Sequence, residues 1–310
     1  MRKKQKLGYA LAGVVVTTGI VFTCFAYASE YLHIKDSGFT QLPISARAIG
    51  MGGAFVAIAD DYSACYYNPA GLINISSSEI GSMYTDLYGL GLLSQSFIGY
   101  VEPDRGMGSG GISWSHLSAN LQPERWDYDM VAYSYANYLS RTIKIPTRSW
   151  GINLKYLTQN TPYEDAVGYS LDFSYLRKEE KFSLGICFQN IISKINWETG
   201  EKDILPVNIT AGIAFPMNSN ILISTDVSVS PPDLFKEIRI GCEWKPYKLF
   251  SIRGGIMKKL QKDGNAIFSL GIGIKTNLLG LNTSSFDYAF TSSQKFSPFG
   301  THYLSFTLEF

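Results

Sequence analysis

From Glu79 to Phe310 the chain alternates large apolar residues with small or polar ones, in blocks of about ten residues separated by Gly, Pro, Asn and Asp. In the last block, His302, Leu304, Phe306, Leu308 and Phe310 share one face, opposite Tyr303, Ser305, Thr307 and Glu309. Phe268, Leu270, Ile272 and Ile274 likewise oppose Ser269, Gly271, Gly273 and Lys275. Trp150, Ile152, Leu154 and Tyr156 oppose Gly151, Asn153 and Lys155, and Tyr169, Leu171, Phe173 and Tyr175 oppose Ser170, Asp172 and Ser174. Ile221, Ile223, Val227 and Val229 oppose Ser224, Asp226 and Ser228. A period of two is the signature of strands with two unlike faces. The pattern predicts strands over 79–88, 93–101, 107–116, 127–139, 148–158, 165–177, 181–191, 205–215, 220–229, 236–245, 248–258, 266–275, 279–290 and 301–310. That count, fourteen, is even, as a bacterial single-chain barrel requires.

Alternation alone does not say which solvent the apolar face meets, because a soluble β-sandwich produces the same pattern around a shared core. The N-terminus bears on this. Arg2, Lys3, Lys4 and Lys6 precede an apolar run from Leu11 to Phe25, and Ala26-Tyr27-Ala28 forms a small-x-small cleavage site, so residues 1–28 read as a cleavable signal peptide. No later stretch is long and apolar enough for a transmembrane helix of about 20 residues. Membrane residence then requires a closed barrel, the other structure that satisfies its backbone in lipid. Connections alternate between short (246–247, 178–180) and long (117–126, 191–204, 291–300), the asymmetry expected between periplasmic turns and extracellular loops.

Composition agrees. Charged residues are 17% of the chain, against about 25% in soluble domains, while aromatics reach 14%. Removing the leader takes four basic residues and moves the formal charge from +1 to −3, which leaves no basic patch for nucleic acid. The expectation is an all-β fold: an antiparallel transmembrane barrel (79–310) preceded by a small N-terminal hatch or plug (29–78).

Between leader and strands lies SARAIGMGGAFVAIADDYSACYYNPAGL, residues 45–72, rich in small residues and neither strand-like nor charged. Gly50, Gly52 and Gly53 permit positive φ and close approach to a barrel wall. Asp60 and Asp61 are placed to cap a helical turn through Tyr62–Tyr67. Asn68-Pro69 should stop that turn, since the residue before proline is pushed out of the α region. The blocks Ala46–Ala54, Ala59-Asp60-Asp61 and Tyr67-Asn68-Pro69-Ala70-Gly71-Leu72 resemble the hatch of FadL-type outer-membrane transporters, and more closely that of their PorV/PorQ relatives. Asp287-Tyr288-Ala289 and Gly300-Thr301-His302 resemble the closing strands of the same relatives, and terminal Phe310 looks like the signal read by the outer-membrane assembly machinery.

The resemblance implies an outer-membrane protein that transports hydrophobic small molecules. The alternative it implies is an accessory barrel of a type IX secretion-like system that binds exported proteins or secretion partners. It also gives meaning to the glycines Gly106, Gly108, Gly110 and Gly111, because FadL-type barrels open a lateral gap through a kink in the third strand. The plainer reading puts Gly106 and Gly108 in a turn and uses Gly110-Gly111 to make room for the hatch. No catalytic, cofactor or metal site is expected: His33, His116 and His302 are scattered, and no HExxH or CxxC occurs. His116 with Ser113 or Ser115 is the one enzymatic pairing to weigh. Cys65, Cys187 and Cys242 form no disulfide framework.

Overall fold

The computed structural model describes residues 42–121, 123–140, 148–230, 233–260, 264, 266–277, 283–292 and 300–310. The leader, His33 and part of the longest loops lie outside the described residues. The described chain opens with a helical turn α1 (Ala46–Gly50), a second turn α2 (Ala64–Tyr67) and a 3-10 turn at Pro69–Asn74.

The strands follow: β1 (Glu79–Asp86), β2 (Leu93–Glu102), β3 (Ser109–Leu121), β4 (Glu124–Tyr138), β5 (Arg148–Asn160), β6 (Ala166–Lys178) and β7 (Ser183–Trp197). After the two-residue β8 (Lys202–Asp203) come β9 (Asn208–Pro216), β10 (Ile221–Ser230), β11 (Asp233–Tyr247) and β12 (Phe250–Lys259). β13 (Ala266–Asn277), β14 (Thr283–Thr291) and β15 (Thr301–Glu309) complete the chain.

Each long strand pairs antiparallel with its neighbours, β7 passes directly to β9, and β15 closes on β1. The result is a closed barrel of fourteen strands, with β8 an appendage on the C-terminal end of β7. Closure leaves no sheet edge unpaired. Every expected strand is present. The seventh is displaced most, from 181–191 to Ser183–Trp197, followed by the third, from 107–116 to Ser109–Leu121.

The alternation sorts as the sequence indicated. Phe268, Leu270, Ile272 and Ile274 are exposed on the outside, whereas Ser269 is buried inside. Leu304 is 60% exposed while Tyr303 and Ser305 are buried. An apolar outer wall and a polar inner wall invert the soluble pattern and match a barrel that faces hydrocarbon. Among the described residues no helix is long and apolar enough to cross a membrane, which says nothing about crossing with strands.

Candidate functional site: the lumen and its N-terminal segment

Residues 42–75 lie inside the barrel, since they bond to inward-facing groups all around its wall. Ala46 N–H donates to Ser305 Oγ on β15 (2.8 Å), and Gly52 N–H to Ser269 Oγ on β13 (2.9 Å). Phe55 and Val56 N–H both donate to Asp226 Oδ2 on β10 (2.8 and 3.0 Å). Tyr62 N–H donates to Glu79 on β1, while Asn153 on β5 and Gln189 on β7 donate to the carbonyls of Cys65 and Tyr66. These contacts exist because helical turns this short leave their backbone groups unpaired, and a buried unpaired N–H costs about 1–3 kcal/mol.

The centre of the segment is apolar: Ile44, Met51, Phe55, Tyr62 and Leu72 are fully buried, and Tyr62 packs on Phe97 of the wall. Burial pushes the Cys65 thiol up to about 12.

The wall admits this packing because inward strand positions carry glycine. A Cβ at Gly255 would lie 2.1 Å from Gly52 N, one at Gly151 2.3 Å from Ala70 N, and one at Gly241 2.2 Å from Met51 O. On the segment, Gly52 (φ 66°) and Gly53 (φ 77°) take the left-handed backbone as expected, and Gly50 approaches Gly271 on β13. Gly71 is tight for another reason: its neighbour is Ala59 of the segment itself.

Asn68-Pro69 behaves as proline chemistry requires. Asn68 is extended (φ −163°, ψ 95°), and its Oδ1 caps the following 3-10 turn by accepting from Ala70 N–H (3.1 Å). Its amide donates to Val56 O (2.7 Å), and Ser149 and Ser174 of the wall bind Ala70 from the other side.

The capping role expected of Asp60 and Asp61 needs correction. The helical turn begins only at Ala64, and Asp60 caps nothing. Asp61 Oδ1 accepts from Ser63 N–H (2.9 Å) just ahead of it. Both carboxylates instead hold Arg47, whose Nη1 lies 2.7 Å from Asp60 and 2.8 Å from Asp61. Arg47 Nε reaches Glu243 on β11 (3.3 Å). Arg253 on β12 continues the network to Glu243 (2.8 Å) and to Asp287 on β14 (2.5 Å).

Desolvation by burial would raise the Asp60 carboxyl, but the Arg47 charge and hydrogen bond bring it below its ordinary value. At Asp61 burial, together with the Asp60 charge, prevails over Arg47 and raises it. The network therefore ties the segment to β11 and, through Arg253 on β12, reaches β14. From the sequence, Arg47 stands out only as part of the Ala46–Ala54 block. The signal that could have found its partner was a charged residue, Glu243, inside a strand otherwise patterned as wall.

No register shift interrupts the third strand on either side. Gly106 and Gly108 (φ 108° and 107°) belong to the β2–β3 turn, before β3 begins at Ser109. The pairing of β3 with β2 and β4 runs without a register shift through Gly110 and Gly111. Gly111 faces the lumen, where a Cβ would fall 2.6 Å from Cys65 Sγ, so that glycine makes room for the segment. The ladder shifts register elsewhere, notably between β6 and β7 at Leu171/Phe173, beside Asn190 with its positive φ of 59°.

His116 points outward and pairs with Asp129 (2.9 Å), whereas Ser113 and Ser115 lie on the opposite face of β3, so the enzymatic pairing is not assembled. Among the described residues no group of His, Cys, Asp or Glu is arranged to hold a metal. Phe310 is half-exposed, stacks on Tyr100, and exchanges two backbone hydrogen bonds with Ser78.

No protein-family model and no curated protein matches the chain. Solved structures do. A Pseudomonas aeruginosa FadL homologue aligns at a TM-score of 0.61 and 12% identity, over 87% of this chain and 99% of that one. The Ralstonia pickettii toluene transporter TbuX aligns at 0.61 and 11%, over 88% of this chain and 100% of its own. The Pseudomonas putida toluene transporter TodX aligns at 0.63 and 10%, over 87% and 99%. At such identities the shared property is the fold: the closed fourteen-stranded barrel of FadL-type proteins.

Proposed function

We propose that this chain is an outer-membrane barrel that carries hydrophobic small molecules through its lumen, past the N-terminal segment. The observation that carries this reading is the filled barrel itself. Its outer wall suits hydrocarbon, and its fold is shared along nearly the whole length of proteins described as toluene transporters. In this reading residues 1–28 are the exported leader, 29–78 the hatch, and Phe310 the recognition element for the assembly machinery.

Expression in a Gram-negative host stripped of its own hydrophobic channels tests the proposal, because a lipopolysaccharide leaflet slows apolar solutes. Cells that make the barrel should accumulate labelled toluene or a long-chain fatty acid faster than cells that do not. Equal rates, with the barrel assembled, would reject transport.

One observation favours the second reading, an accessory barrel of the PorV/PorQ kind that binds exported proteins or secretion partners. The contacts between segment and wall are densely hydrogen-bonded, which suits a permanently closed lumen. The PorV/PorQ likeness rests on the sequence blocks alone. Recovery of a stoichiometric secreted protein with the detergent-extracted barrel would favour it over transport.

A further inference from the structure

The outer wall is hollowed across the seam where the barrel closes. The hollow has a volume of about 580 Å³ and spans β3, β2, β1, β15, β14 and β13. Its floor is made by two small outward residues on adjacent strands, Ser82 and Ser96. Register explains the shape. Ser82 sits directly between Ile98 of β2 and Phe306 of β15, and that row continues to Trp114 on one side and Phe286 on the other. Large side chains thus rise on both flanks of a gap at the seam, and Phe286 and Phe306 pack together with centroids 4.8 Å apart.

We propose that this hollow is the seat of one acyl chain of a membrane lipid, held across the β1–β15 seam. The proposal rests on the outer-membrane reading given above. Three features select this occupant. The lining is hydrocarbon, and the single carboxylate beneath it, Asp287, faces the lumen and pairs with Arg253. The dimensions fit: six strands set about 4.8 Å apart make a row roughly 24 Å long. With strands tilted by about 45°, that row climbs roughly 17 Å along the membrane normal, close to one leaflet of a hydrocarbon core about 30 Å thick. A second copy of the chain fits badly, because a two-fold contact would set hollow against hollow and leave a void. A flexible chain fills an irregular apolar surface without that penalty, and its methylenes gain dispersion contacts on both flanks.

The consequence is a lipid that exchanges more slowly than its neighbours and braces the junction of the first and last strands. The full chain, reconstituted in palmitoyl-oleoyl phosphatidylethanolamine vesicles and re-extracted in mild detergent, should retain one phospholipid by native mass spectrometry. Filling the floor with Ser82→Phe and Ser96→Leu should lower that retention by about ten-fold or more. Thr225→Phe, also outward but on the distant β10, should leave it unchanged. Trp114 emission should be quenched by acyl-brominated lipid in the unaltered protein, and less so in the filled variant. Retention that survives filling, or no retained lipid in a barrel that floats with the vesicles, would overturn the seat while leaving the barrel reading intact. A chain that failed to float at all would overturn both.

Discussion

Replacing Arg47 with Met should loosen the luminal segment without unfolding the barrel. Methionine keeps an apolar stem beside Phe55, and its sulfur–aromatic contact offsets the cation–π contact of the guanidinium, which now sits 5.1 Å from the ring centroid. Three contacts are lost. Asp60 is 35% exposed and can rehydrate, so its pair contributes no more than about 1 kcal/mol. Asp61 is 13% exposed, and its charge-assisted bond contributes about 1.5 kcal/mol. Glu243 keeps Arg253, so the longer Arg47 contact at 3.3 Å adds about 0.5–1 kcal/mol. The total, about 3 kcal/mol, raises the undocked population by roughly 100-fold. Cys65 reports that population, because it is buried and its thiol is pushed up to about 12 while docked. In a background with Cys187→Ser and Cys242→Ser, its alkylation rate at neutral pH should rise roughly 100-fold in the Arg47→Met variant. An unchanged rate would refute the idea that this network latches the segment.

Further outcomes follow from the same geometry. Asp60→Asn should speed Cys65 labelling at neutral pH more than Asp61→Asn. Asp60 titrates below its ordinary 3.8, so its ionised form stabilises docking above that value, and its contribution disappears as the pH falls through the lowered one. Asp61 titrates above 3.8 because burial outweighs its bond to Arg47, so its ionisation weakens docking as the pH rises through the raised value and offsets part of what that bond contributes. Gly111→Val should displace the segment at Cys65, whereas Gly110→Val, whose nearest neighbour would be 3.9 Å away, should leave labelling unchanged; equal effects would contradict the continuous β3 ladder. Ile272→Arg should cost about 2–4 kcal/mol in a bilayer and little in detergent, while Ser269→Arg, facing Gly50 and Gly52, should be costly in both. Phe310→Ser should reduce the heat-modifiable barrel in outer-membrane fractions while leaving export intact; normal assembly would remove Phe310 as the recognition element.

Why the wall was legible and the lumen less so follows from periodicity. A strand's two faces are set by neighbours in sequence, so Asp172, Asp226 and Lys155 could be assigned inward from alternation alone, and all three are buried there. Asn68-Pro69 was legible for the same reason, since the restriction proline imposes is local. Pairings between the segment and the wall are separated by 196 residues for Arg47 and Glu243 and by 259 for Ala46 and Ser305, and no local pattern encodes them. Asp60 and Asp61 were therefore read by their nearest role, helix capping, when a distant arginine claims them. The glycines before Ile112 left two readings open for the same reason, and the plainer one holds for Gly106, Gly108 and Gly111. Glycine in a strand marks either a kink or a close approach, and only the position of Cys65 separates the two.

The central claim is that residues 45–72 close the lumen of a membrane-spanning barrel. Single-channel recording in planar bilayers tests it most directly, with the full chain compared against the variant lacking 45–72. The account predicts a small or absent conductance for the full chain and a larger, weakly selective one for the deletion. Equal conductance in the two, with both barrels assembled and heat-modifiable, would contradict it.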